Sequence, residues 1–131
     1  MDRLLPVNNK SDIPGIYKNT PPGLLFEYHN LCAKLDTYDN AQLLIGMCMD
    51  NRKSLRIPEN FAYIIRTGGA NLRYSEFKVS FAIAVGGVKH IALIGHSQCG
   101  MVNLSAKKEL FIRGLVEDAG WERQFAEEHF M

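Results

Sequence analysis

Ala41-Gln42-Leu43-Leu44-Ile45-Gly46-Met47-Cys48-Met49-Asp50 is an almost unbroken apolar run that ends in a carboxylate. Its length and bracketing suit a strand, and the lack of polar alternation means burial on both faces, as in a parallel sheet. Working outward, Phe61-Ala62-Tyr63-Ile64-Ile65-Arg66 is a second such run, closed by Thr67-Gly68-Gly69-Ala70-Asn71. His90-Ile91-Ala92-Leu93-Ile94-Gly95 is a third, closed by the His96 segment. Between them, Ser75 to Val85 sets Phe77, Phe81, Ile83, Ala84 and Val85 on a broad apolar helical face. Ser75 serves as a helix start and Gly86-Gly87 as a stop. Strand, helix and strand in alternation predict an α/β fold, a central mostly parallel β-sheet flanked by helices.

The flanks complete the layout. Leu24, Leu25, Tyr28, Leu31 and Cys32 have the spacing of an amphipathic helix over 23–35, which makes Cys32 a buried small hydrophobe. Residues 1–20 are polar and turn-rich and read as an extended N-terminal arm. Leu104 to Met131 reads as a helical C-terminal segment interrupted at Gly114 and Gly120, in which Trp121, Phe125 and Phe130 pack against the domain or a partner subunit. The whole, 1–131, is expected to be a single domain.

A net charge of +1 with interspersed signs leaves no electrostatic footprint for nucleic acid. The run Phe81 to Val88 is far too short to span a bilayer, and the first residues lack the apolar core of a signal peptide. A cytoplasmic protein is the expectation. The three cysteines are an odd number without a secretory signal, so a disulfide framework is not expected.

Cys48 and Cys99 have a better joint use. Ligands in open α/β sheets bind beyond the carboxyl ends of the strands. Cys48 ends the first strand, Gly68-Gly69 follow the second, and His96-Ser97-Gln98-Cys99 follows the third. Two thiolates and one imidazole are three ligands for Zn2+, and a catalytic zinc keeps three protein ligands with the fourth position open. If the backbone stays extended from Cys48 to Arg52, alternation puts Cys48, Asp50 and Arg52 on one side. That pair of charges beside an open metal position points to metal-assisted hydration or hydrolysis. Gly95-His96-Ser97-Gln98-Cys99 also resembles the start of a G-x-S-x-G nucleophile elbow, but Cys99 replaces its final glycine.

The sequence resembles the β-class carbonic anhydrases over residues 41–103. The resemblance rests on Cys48-x-Asp50-x-Arg52, on Ile65-Arg66-Thr67-Gly68-Gly69, and on Gly87-Val88-Lys89-His90 through Gly100-Met101. It implies zinc held by Cys48, His96 and Cys99, and Asp50 with Arg52 as the catalytic dyad. It also implies a homo-oligomer, dimer or higher, and reversible hydration of carbon dioxide to bicarbonate by zinc-bound hydroxide. Asp50 is an alternative fourth ligand. Relatives with the same ligands hydrolyse carbonyl sulfide or carbon disulfide, and a non-catalytic zinc-binding relative is the rival from outside enzymes. Two departures stand out: Arg66-Thr67-Gly68-Gly69 replaces the usual Arg-Asn-Ala-Gly, and the chain is C-terminally short by comparison with that family.

Overall fold

The computed structural model describes residues 5–50, 52–97 and 104–130. The chain divides into two compact units, 1–97 and 98–131. The first contains helix α1 (Pro21–His29), strands β1 (Leu43–Cys48) and β2 (Ala62–Thr67), helix α2 (Glu76–Ala84) and strand β3 (Ile91–Ile94). The second contains α3 (Lys108–Ala119) and α4 (Arg123–Phe130). Among the described residues no helix is long and apolar enough to cross a membrane.

The three strands form one parallel sheet in the order β2-β1-β3. The apolar run quoted first becomes its centre, and all six residues of β1 are buried. Its alternate side chains feed two cores. Leu43, Ile45 and Met47 pack with Leu25, Tyr28 and Phe61 on the α1 side, and Leu44 packs with Ile65, Ala82 and Val88 on the α2 side. Gly46 leaves space on that second face, since a Cβ there would stand 3.0 Å from Leu93 Cδ2 and 3.1 Å from Leu72 Cδ1. The outer strands are less covered. Ile64 in β2 and both Ile91 and Leu93 in β3 are exposed, because the helices seal the central strand more completely than its neighbours.

α1 begins where the sequence supplies a cap. Thr20 Oγ1 accepts from the Gly23 N–H, and Pro21 and Pro22 occupy the first helical positions, where no N–H is needed. The helix is shorter than its apolar spacing predicts. It stops at His29, and Cys32 lies beyond it with φ +54°, exposed to solvent. The reading of Cys32 as a buried helical residue is therefore corrected: the chain turns left-handed there, and Ala33 N–H folds back to the Glu27 carbonyl. Residues 5–20 carry two 3-10 turns, Lys10–Asp12 and Gly15–Tyr17, with Ile13 buried.

In the second unit α3 runs through Gly114 without a break, contrary to the expected interruption. Gly120 does end it, in the left-handed conformation at φ +74° that favours glycine at a helix C-terminus. Phe111 meets Phe130 edge-on at 5.2 Å, and Trp121 lies 5.3 Å from the His129 ring. Arg123 ties the two helices through Glu109 at 2.6 Å.

Candidate metal centre

Parallel strands put their carboxyl ends on one edge, and the pairing of Cys48 with Thr67 and of Met47 with Ile94 brings three closing segments there. Cys48 is the last residue of β1 and is 1% exposed. His96 comes two residues after β3. Asp50, two residues beyond β1, has a side chain only 8% exposed. Cys99 lies outside the described residues, as does Asn51.

His96 is held in one tautomer. Its Nδ1 stands 2.9 Å from the Ser97 carbonyl, which can only accept, so the proton belongs on Nδ1. Nε2 then presents its lone pair. That atom is buried, meets no hydrogen-bond criterion among the described residues, and faces Asp50 Oδ2 at 4.0 Å. The Cys48 sulfur, then the Ser97 carbonyl, raise the pKa of His96 above its ordinary value, with burial opposing and the Asp50 charge assisting. A backbone carbonyl on one imidazole nitrogen and a buried lone pair on the other is the arrangement of metal-ligating histidines. Cys48 has a donor of its own: Gly69 N–H points at its sulfur at 3.4 Å, which favours the thiolate a metal needs. Gly69 reaches that position with φ +65°.

Asp50 and Arg52 meet, by a different route from the one alternation predicts. The chain does not stay extended past Cys48. Asp50 Oδ1 accepts the Arg52 backbone N–H at 2.9 Å, and the Asp50 carbonyl accepts Lys53 N–H at 3.1 Å. This is an aspartate-closed turn, in which a short carboxylate bonds the backbone two residues on. It brings the guanidinium around, and Arg52 Nε lies 3.0 and 3.1 Å from the two carboxylate oxygens. Side-chain and then backbone hydrogen bonds from Arg52 hold the Asp50 carboxyl well below the usual carboxylate range.

Two contributors escape a reading of spacing alone. Arg66 Nε donates to the Cys48 carbonyl at 3.0 Å, while Nη2 donates to the carbonyls of Asp50 at 2.7 Å and Lys53 at 2.8 Å. One side chain thus pins the whole turn that carries the acid. The Gly69 N–H is the other, and only the left-handed residue after β2 hinted at it. Among the described residues no three metal-capable side chains form a ready-made set. What the described residues do supply is a buried imidazole nitrogen, a buried sulfur beside it and an ionised carboxylate, the mixed nitrogen, sulfur and oxygen donors that zinc accepts.

A family model described as carbonic anhydrase matches residues 44–128, a span that takes in all but the first residue of β1, the whole of β2 and β3, and the site. No curated protein matches the chain.

Proposed function

The chain belongs to the β-class carbonic anhydrase family, and from that premise we propose that it catalyses reversible hydration of carbon dioxide to bicarbonate with zinc held by Cys48, His96 and Cys99. The observation that carries this reading is the buried Nε2 of His96, which makes no hydrogen bond in the geometry of the described residues and faces Asp50. Zinc held by these residues would act as a Lewis acid and bring the pKa of water toward neutrality.

The residues do the rest. Ser97 keeps the His96 proton on Nδ1, so Nε2 stays available. Arg52 keeps Asp50 ionised and oriented, its backbone N–H, Nε and Nη2 all donating to the carboxylate. Asp50 then accepts a hydrogen bond from the attacking water oxygen and turns its lone pair toward the carbon of carbon dioxide. Arg66 fixes the backbone between Cys48 and Lys53, so that the acid and the sulfur keep their spacing. Asp50 is also near enough to His96 to serve as a fourth ligand in a resting form, with Arg52 competing for it.

A homo-oligomer belongs to the same proposal. Phe77 in α2, Val85 just after it, and Ile91 and Leu93 in β3 are exposed apolar side chains of the first unit that a second subunit can cover. The test of the function is zinc content together with carbon dioxide hydration on one preparation, wild type beside His96→Ala. We expect about one zinc per chain and turnover in the wild type, and loss of both in the variant. Zinc-loaded wild type without turnover would sink the enzymatic reading.

A further inference from the structure

Arg56 follows the turn that carries Asp50 and has no part in the reaction as derived above. Its guanidinium reaches across to the end of α1, where Nη1 donates to the carbonyls of Tyr28 and Ala33, each at 2.8 Å. Its backbone N–H donates to His29 Nδ1 at 3.1 Å. The last carbonyls of a helix have no partner within it, and the helix dipole favours a cation beside them. Capping explains what α1 gains from Arg56.

The segment that carries the cap has a second attachment. The Lys53 carbonyl accepts Arg66 Nη2 at 2.8 Å, and the Lys53 N–H closes the turn on the Asp50 carbonyl at 3.1 Å. Between Lys53 and Arg56 lie Ser54 and Leu55, and Leu55 packs against the core on the α1 side. Three residues of chain span at most about 10 Å. With one end fixed on α1 and the other on the sheet, the segment has little slack. Where α1 holds Arg56 therefore limits how far Lys53, and the turn it closes, can move.

We propose that Arg56 is a positioning residue, which holds the turn carrying Asp50 and Arg52 from the α1 side while Arg66 holds it from β2. It acts through the backbone of residues 53–56. The inference rests on the reading of Asp50 and Arg52 as the acid pair of the reaction. Two supports of one turn are coupled, so the loss of the second costs less once the first is gone.

Amide exchange followed residue by residue in the full chain reads the turn without needing turnover. The Arg52 N–H bonds the Asp50 carboxylate at 2.9 Å, and the Lys53 N–H is the turn's other closure. In Arg56→Ala both should exchange about tenfold faster, roughly the worth of one lost hydrogen bond in a local opening equilibrium. Asn30 and Ala33 amides at the end of α1 should speed up with them, and those of β1 should not. Arg56→Lys keeps a cation within reach of the two carbonyls and should recover part of the protection. If Arg56→Ala does not fold, Arg56→Gln serves and should show a smaller acceleration at the same two places. Faster exchange confined to residues 29–34 marks Arg56 as a cap alone and overturns the proposal.

Turnover gives the second arm. Arg56→Ala should lower kcat for carbon dioxide hydration several-fold with KM and zinc content unchanged. Arg66→Ala should then cost less in that background than in wild type. Strictly multiplicative losses in the double variant also overturn the proposal. Wild type without turnover removes the carbon dioxide reading, and the exchange pattern still decides whether Arg56 holds the turn.

Discussion

Arg66 Nε donates to the backbone oxygen of Cys48 at 3.0 Å, so the end of β2 holds the end of β1 through a side chain as well as through the ladder. The same guanidinium bonds the carbonyls of Asp50 and Lys53. Arg66→Ala leaves these carbonyls to water and should lower stability by about 1–2 kcal/mol, the low end for charged hydrogen bonds because solvent reaches the group. Activity should fall further than stability accounts for, since the turn carrying Asp50 loses its anchor. Lysine, with one donor centre, should recover little of it. Thermal melts and hydration rates on the same variants check this, and an activity loss no larger than the fraction unfolded counts against it.

Cys48→Ser, His96→Ala and Cys99→Ser should each strip zinc from protein purified without added metal. Cys32→Ser should retain it, because Cys32 is exposed and lies before the sheet. Elemental analysis decides the matter. Full zinc occupancy in Cys48→Ser would remove the strand-end sulfur from the ligand set.

Asp50→Asn should keep zinc and lose hydration activity by about 10²–10⁴-fold, the usual worth of a positioned acid–base group. Arg52→Ala should damage activity indirectly, by freeing Asp50. Arg52→Lys keeps the charge without the planar fork that meets both carboxylate oxygens, and should not restore full turnover. Equal rates for wild type and Asp50→Asn would show the mechanism to be wrong.

Tyr28 gives the pH prediction. It is 2% exposed, and its hydroxyl meets those of Tyr38 and the carboxylate of Asp36. Burial first, then the hydrogen bond with Tyr38, push its pKa well above the ordinary tyrosine value. A raised pKa in the folded state contributes stability that is complete below the unfolded value of about 10. It is lost as pH rises through the folded value. Alkaline titration followed by tyrosinate absorbance should therefore leave part of the signal to appear only with unfolding. In Tyr28→Phe that late portion should shrink, at a stability loss of about 0.5–1.5 kcal/mol. A single smooth titration of all five tyrosines in folded protein would contradict it.

Two glycines in helices should answer oppositely to alanine. At Gly23 a Cβ would collide with the Tyr17 carbonyl, so Gly23→Ala should destabilise by about 1–3 kcal/mol, the usual result of overpacking. At Gly114, within α3, nothing lies within 4 Å of the added carbon, and Gly114→Ala should stabilise by up to about 1 kcal/mol. Denaturant midpoints report both, and a matching sign in the two variants would refute the distinction.

β1 was legible because a strand sealed on both faces has an apolar residue at nearly every position, and Leu43 to Cys48 does. Apolar spacing continues past His29 to Cys32 while the helical backbone does not. Left-handed turns are announced by glycine, and this one is built on a cysteine. For Asp50 and Arg52 alternation predicts a shared side, whereas the actual contact comes from a carboxylate closing its own turn. Gly69 and Arg66 act on backbone atoms or through them across strands, and linear spacing carries no trace of such contacts.

The position of Cys48 at the end of the central strand divides the site by timescale. Amide hydrogens in a strand flanked by partners on both sides and buried throughout exchange only when the unit opens as a whole. The turn after it is held by one carboxylate and one guanidinium, and breaking those few bonds opens it without opening the sheet. The sulfur is thus mounted on the buried centre of the sheet, and Asp50 on a segment whose opening does not require the sheet to open. The acid can exchange Arg52 for another partner while the sulfur stays in register.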